Sequence, residues 1–448
     1  MGRFKRLRQM LTPVRLLVAG YALVVLVVAA LLCLPFASAT GKCQSFPDAL
    51  FMASSGVSTT GLTTVDVGTS YSLFGQIVLL LDFQIGGIGY MTVFVYMMYL
   101  LGAQLPLRHQ LVAMESMPGP NFSDLARFFR WVVVMTLFFE IIGAAVLTCC
   151  WAREFSVGRA AYLGVYHSVS AFCTAGFSLF PDSLMSYQRD PVVNVTIALL
   201  CLVGGIGFIV LADIRDWRKR ARRREYPRGL SVHSKLALGV TAIVILLGTG
   251  VVFAAEKWPA SWTVGERAMA SSFQAISAST TAGYNTVEIG GMSPNSLFAL
   301  MLLMFIGASP GGTGGGVKTT TVGVLWASVW CQFRRKDANL FRRRISEETV
   351  NKAYAIFLSS ILIVVLDTML LTAMQGGSPL QNLFEVVSAL GNAGLSTGIT
   401  PSLTPLAKVL LSVTMFIGRV GPLAIVMALM AKPKPAPYHY AGAAVFVG

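Results

Sequence analysis

Eight apolar stretches punctuate the chain, at about 14–36, 72–101, 125–150, 191–213, 232–254, 295–331, 350–374 and 404–430. A helix needs about 20 apolar residues to cross the hydrocarbon of a bilayer, so the pattern predicts eight spans. The sixth is interrupted by Ser309-Pro310-Gly311-Gly312-Thr313-Gly314-Gly315-Gly316, and no helix continues through that density of Gly and Pro. The segments between spans alternate in character. Arg108, the run Arg215–Arg228 and the run Arg334–Arg344 follow spans two, four and six, whereas the longer segments after spans one, three, five and seven carry few Lys or Arg. With basic residues at the N-terminus (Arg3, Lys5, Arg6, Arg8) and Lys432 and Lys434 near the other end, the charge pattern places both termini in the cytoplasm and four long segments outside.

Composition agrees. Of 448 residues 55% are hydrophobic and 12% charged, with a mean hydropathy of +0.67, against about 25% charged in soluble domains. A soluble core of this size and a disordered chain are both excluded. The net charge of +15 would point to nucleic acid in a soluble protein. Here the basic runs sit between apolar spans with no aromatic-interleaved face, so the membrane accounts for them and no nucleic-acid partner is expected. Seven cysteines show no CxxC and no Cys/His spacing, so neither a disulfide framework nor a structural metal is expected. The first apolar stretch is too long for a signal h-region and reads as a retained span.

The four outer segments match one another. Anchored on Gly61, Gly176, Gly283 and Gly394, each has an aromatic ten residues earlier (Phe51, Tyr166, Phe273, Phe384), a serine six earlier (Ser55, Ser170, Ser277, Ser388) and a small residue five earlier. Two before the glycine stand Thr59, Thr174, Thr281 and Asn392, and one before stand Thr60, Ala175, Ala282 and Ala393. The anchors are 115, 107 and 111 residues apart, the length of one span, loop and span. The predicted fold is therefore an all-α polytopic membrane protein, with four span–pore helix–span repeats around a pseudo-fourfold pore. The repeats cover 14–101, 124–213, 232–331 and 349–430, and 431–448 forms a C-terminal tail. Each second span also carries a glycine cluster 24 to 28 residues past its anchor, beginning at Gly86, Gly204, Gly307 and Gly418. For the first two clusters the expectation is close helix packing within a continuous span.

Irregular backbone at membrane depth is tolerated where it lines water or is buried in protein. Rings of backbone carbonyls replace the hydration shell of a potassium ion, and glycine permits the positive φ that turns neighbouring carbonyls to one side. Short helices ending at such a ring present the negative end of their dipoles to a cation. An anion pore would want Lys or Arg at these turns, and residues 59–63 and their three counterparts contain none. A single glycine after a helix is an ordinary stop signal; four matched ones are not.

The set of features resembles the Trk/Ktr/HKT superfamily of potassium transporters over essentially the whole chain. Those features are four span–pore–span units, one glycine per filter segment, an interrupted sixth span and Gly418-Arg419-Val420-Gly421-Pro422. Because the first repeat begins by about residue 14, the chain is most similar to the KtrB type of ion-translocating subunit, which lacks the two extra N-terminal helices of Trk-type subunits. The resemblance implies a potassium filter at Thr59, Thr60, Gly61, Thr174, Ala175, Gly176, Thr281, Ala282, Gly283, Asn392, Ala393 and Gly394. Glycine rather than serine at position 61 implies potassium preference. It also implies a gate formed by the intramembrane loop (Gly311, Gly312, Thr313, Gly314, Gly315, Gly316 and Lys318) with Arg419. Potassium is then the substrate, and sodium is the candidate coupling or activating ion. The implied assembly is a homodimer in the bacterial plasma membrane, in contact with lipid and seated on a cytoplasmic nucleotide-binding regulatory subunit of the KtrA type.

Broken helices mark gates or sites in transporters, and a mid-membrane arginine is costly unless paired or functional. Both observations support the gate independently of the resemblance. The loop is not a phosphate cradle, because Gly316-Val317-Lys318-Thr319 separates Gly from Lys and no strand precedes it. Glu140 and Asp367 read as paired structural carboxylates, with proton coupling through Glu140 as the alternative, and Asp213 reads as solvated. Two other functions compete. A sodium- or proton-coupled carrier of another solute would favour inverted repeats, whereas these units share one topology. A membrane enzyme would need a clustered nucleophile, base or metal set, and none is visible.

Overall fold

The structure is a computed structural model describing residues 13–89, 122–222, 229–334 and 338–421. Arg108, Lys432, Lys434, the basic N-terminus, residues 90–101 of the second expected span, residues 422–430 of the eighth and the tail 431–448 lie outside the described residues.

Helices of three kinds recur in order. Long apolar helices open the units: Pro13–Leu32, Phe122–Trp151, Val232–Ala255 and Glu347–Gln375. Shorter buried helices follow, Phe46–Val57, Val157–Phe172, Val264–Thr280 and Pro379–Gly391, at the places where the sequence predicts pore helices. A third set leads away from them: Leu73–Ile88, Pro191–Ile206, Pro294–Ile306 and Pro405–Val420. Local chemistry sets the starts. Ser45 accepts from the Asp48 N–H, and Thr263 and Glu266 form a reciprocal capping box. Pro stands in the first turn of all four helices in the third set except Leu73–Ile88, which Ser72 caps.

The second spans correct one expectation. Each helix of the third set stops at a glycine with positive φ: Gly89 (89°), Gly207 (102°), Gly307 (71°) and Gly421 (92°). At Gly207 the chain turns by 90° into Phe208–Arg222. A helix end like the one foreseen only in the sixth span thus occurs in every unit among the described residues, because a helix cannot pass a residue held at that φ. Close packing is present too. A Cβ at Gly86 would lie 2.1 Å from the Val57 carbonyl oxygen, at Gly204 1.9 Å from that of Phe172, and at Gly418 2.1 Å from that of Leu390. The second spans of units one, two and four therefore touch the ends of their own pore helices through a glycine in the same register, where unit three has Met304. After the sixth-span loop a helix resumes at Thr319–Phe333, followed by a small hairpin, Asn339–Leu340 with Arg343–Arg344.

Burial is inverted relative to a soluble protein. Ser55, Thr59, Thr60, Ser170, Thr174, Thr281 and Asn392 are buried, whereas Leu246, Leu247, Leu358, Leu362 and Met369 are exposed on the outer helices. The pore helices and their turns form the protein's centre, and the apolar residues form its rim, as a lipid-solvated fold requires.

Candidate functional site

The four pore helices end alike. The residue two before each anchor glycine is left-handed: Thr59 (φ 53°), Thr174 (52°), Thr281 (58°) and Asn392 (51°). One residue later the backbone N–H reaches back to the carbonyl of the conserved-position serine, at 2.8 Å in every unit: Thr60 to Ser55, Ala175 to Ser170, Ala282 to Ser277 and Ala393 to Ser388. The anchors themselves have φ of 91°, 69°, 80° and 80°. A left-handed β-branched residue costs about 1–3 kcal/mol, so three threonines held there show that the surroundings dictate this turn.

The glycines close a ring. A Cβ on Gly61 would lie 2.5 Å from Ala175 O, on Gly176 2.5 Å from Ala282 O, on Gly283 2.9 Å from Ala393 O, and on Gly394 2.1 Å from Thr60 O. Each unit's glycine therefore faces the preceding-residue carbonyl of the next unit, and the fourth faces the first. The oxygens of Thr60, Ala175, Ala282 and Ala393 lie on one closed circuit, with no acidic or basic side chain in it. No side chain larger than hydrogen fits any of the four corners. Outside the ring opens a vestibule of about 250 Å³, lined by the four glycines, by Thr63, Ser178, Asn285 and Ser396, and by Asp66 and Asp182. Lys408 of the fourth unit donates to Asp48 of the first at 2.6 Å, joining the ends of the circuit.

The intramembrane loop lies directly beneath. Its anchorage comes from the break at Gly207: the Gly204 and Gly205 carbonyls, left unpaired by the end of their helix, accept from Thr313 N–H (3.1 Å) and Ser309 N–H (3.0 Å), and Phe208 N–H donates to Gly311 O (2.9 Å). The loop then meets all four left-handed residues. Thr59 Oγ–H donates to Thr313 O at 3.0 Å, Thr174 Oγ1 and Thr313 Oγ1 lie 3.0 Å apart, and Gly315 N–H donates to Thr281 Oγ1 at 2.9 Å. Gly315 is pressed against Asn392, where a Cβ would lie 2.5 Å from Oδ1. Gly314 lies as tightly on Thr281, and Gly316 folds back on Gly307. Gly312 touches the Gly205 carbonyl, and Lys318 Nζ donates to Gly314 O (2.6 Å), tying the loop to itself. Arg419 donates to Thr313 O and to Gly86 O. The guanidinium thus links the loop to the first unit's second span.

Two of the intramembrane carboxylates have neutral partners: Gln84 Nε2 donates to Glu140 at 3.2 Å, and Thr414 Oγ–H donates to Asp367 at 2.6 Å. A third, Asp82, is buried with neither carboxyl oxygen hydrogen-bonded among the described residues. Asp213 is not simply solvated, since it accepts from Ser231 N–H at 2.8 Å. Sequence reasoning missed the Asp48–Lys408 pair, whose members are 360 residues apart, and the helix breaks at Gly89, Gly207 and Gly421, for which the glycine clusters were the available signal.

Known proteins share this arrangement. The sequence pattern of the TrkH family, described as a cation transport protein, matches residues 23–439. The chain is 36% identical over 443 residues to the Ktr system potassium uptake protein B of Bacillus subtilis (strain 168), covering 98% of this chain and 97% of that one. It is 36% identical to the protein of the same name from Vibrio alginolyticus, covering 97% and 94%. The crystal structure of the potassium transporter TrkH from Vibrio parahaemolyticus superposes with a TM-score of 0.71 at 19% identity, over 92% of this chain and 84% of that one, which shows the shared fold. With the family pattern and two relatives running through nearly every residue that builds the ring and the loop, this chain belongs to the TrkH family of cation transport proteins.

Proposed function

We propose that this chain is the potassium-translocating membrane subunit of a Ktr-type uptake system. The observation that carries the reading is the closed circuit of Thr60, Ala175, Ala282 and Ala393 carbonyls with a glycine at each corner. A neutral oxygen ring exchanges well for the hydration shell of a weakly hydrated cation. The route runs from the vestibule through the ring to the loop. Conduction then requires the loop to withdraw, which breaks the contacts of Thr313 and Gly315 with Thr59, Thr174, Thr281 and Arg419. Arg419 both holds the loop shut and opposes a cation with its charge.

The relatives named as Ktr potassium uptake protein B support the substrate. Their place in a "system" supports a separate regulatory component, here a cytoplasmic nucleotide-binding ring of KtrA type docked beneath a homodimer. The apolar rim supports a multi-pass location in the bacterial plasma membrane, and the basic runs support cytoplasmic termini. Sodium is retained as the coupling or activating ion. Expression in a bacterium lacking its own potassium uptake tests the reading. Growth at low potassium is expected from the intact chain, and no rescue by an intact, membrane-inserted chain supplied with such a regulatory subunit would count against it.

A further inference from the structure

The residue nine before each anchor glycine differs in every unit: Met52, His167, Gln274 and Glu385, all buried. Three of the four reach the same place, the turn just outside the ring. Glu385 Oε1 accepts from Ser396 Oγ–H (2.5 Å) and Thr397 N–H (3.0 Å), and its Oε2 accepts from Thr400 Oγ–H (2.8 Å). His167 Nε2 accepts from Leu179 N–H (3.4 Å) and lies 3.1 Å from Ser178 Oγ, while Nδ1–H donates to Leu163 O at 2.9 Å. Gln274 Nε2 donates to Thr286 Oγ1 at 3.3 Å. Unit one has no such contact. Met52 offers no hydrogen-bonding group there, and the buried hydroxyl of Thr64, at the place of Thr286 and Thr397, faces the Asp48 carboxylate instead.

The serine six before the anchor divides the units differently. Ser170 and Ser277 donate to the carbonyls just past the glycine, Phe177 O (2.9 Å) and Tyr284 O (2.6 Å). Ser55 instead accepts from Gly61 N–H at 3.0 Å, and the Ser388 hydroxyl has no partner among the described residues. Units two and three are therefore held past the glycine by both positions and unit four by Glu385 alone, whereas in unit one Ser55 holds the glycine itself and Met52 makes no hydrogen bond to the rim.

We infer that the residue nine before the filter glycine is a positioning residue bracing the outer rim of its filter segment in units two, three and four, that Glu385 is the sole such brace in unit four, and that unit one lacks a brace at this position. This rests on the filter reading above. A buried, fully satisfied hydrogen-bond network rigidifies what it holds. A ring of carbonyls discriminates between cations only as far as its spacing is kept, so loosening one rim costs selectivity before it costs fold.

The test is rubidium-tracer uptake into liposomes with potassium or sodium as competitor, for wild type, Glu385→Ala, Glu385→Gln and Met52→Gln. Glu385→Ala is expected to lower the potassium-over-sodium preference by about tenfold, the equivalent of one or two lost hydrogen bonds. Glu385→Gln is expected to stay near wild type, because its carbonyl still accepts from Ser396 and Thr397 and its amide can donate to Thr400. Met52→Gln, copying unit three, is expected to raise the preference by adding to Thr64 the contact that Gln274 makes with Thr286. A folded Glu385→Ala protein with wild-type preference overturns the inference. Should that variant fail to assemble, an unchanged preference in Met52→Gln overturns it instead. A wild type without potassium preference would overturn the filter reading itself, which separates the two failures.

Discussion

Replacing Arg419 by alanine should open the pore. Thr313 O is the acceptor shared by the Arg419 guanidinium and the Thr59 hydroxyl, and the same guanidinium ties Gly86 O to the loop. A hydrogen bond from a charged group contributes about 1.5–3 kcal/mol net, so losing the Thr313 contact shifts the balance between withdrawn and seated loop by about tenfold to a hundredfold. Loss of the positive charge acts in the same direction. The assay is rubidium-tracer uptake by purified protein in liposomes without any regulatory subunit, where the seated loop keeps wild-type uptake low. Arg419→Ala is expected to raise the initial rate by that factor and to leave the potassium-over-sodium preference intact, since no ring residue is touched. Arg419→Lys, with a charge but only one donating group, should fall between. A folded Arg419→Ala protein that takes up rubidium no faster than wild type would refute the assignment of Arg419 as a latch.

Thr313→Ala removes the hydroxyl bond to Phe172 O (3.1 Å) and the contact with Thr174 but keeps the backbone acceptor. Uptake should therefore rise by only about fivefold, the worth of one neutral hydrogen bond, in the same assay. Gly204→Ala would place a Cβ 1.9 Å from backbone oxygen, whereas a Cβ at Gly239 meets nothing within 4 Å. The first should not yield a monodisperse protein on size exclusion. Gly239→Ala should raise stability by about 0.5–1 kcal/mol, seen as a higher thermal midpoint in detergent. Lys408→Met strands the Asp48 carboxylate and should destabilise by about 1.5–3 kcal/mol, and Asp48→Asn in the same chain should recover part of the lost midpoint.

How much was legible in the sequence depended on whether a feature repeats. Gly61, Gly176, Gly283 and Gly394 stand in matched columns, and each has the positive φ and the corner contact that only glycine allows. The sixth-span break was legible because five glycines and a proline crowd into residues 309–316. The helix ends at Gly89, Gly207 and Gly421 were not, because glycines clustered in an apolar run read equally as packing contacts. Gly204 is such a contact and Gly207 a bend, three residues apart in one cluster. Partners set by the closing of four units were invisible: Lys408 reaches Asp48 and Arg419 reaches Gly86 across most of the chain. The position nine before each glycine was legible as a protein-facing spot on the pore helix, but its bracing contacts were not, since Met52, His167, Gln274 and Glu385 share a place but no chemistry.

Gly61→Ser in the Arg419→Ala background tests the carbonyl ring most directly, because the pore is then not limited by the latch. A Cβ at residue 61 would lie 2.5 Å from Ala175 O on a backbone with φ of 91°, so the neighbouring carbonyl must move. Rubidium uptake by Arg419→Ala alone should be suppressed by potassium and not by sodium, and the added Gly61→Ser should abolish that difference. Uptake by Arg419→Ala that potassium and sodium suppress equally, or a preference unchanged by Gly61→Ser, would contradict the ring as the site of selection.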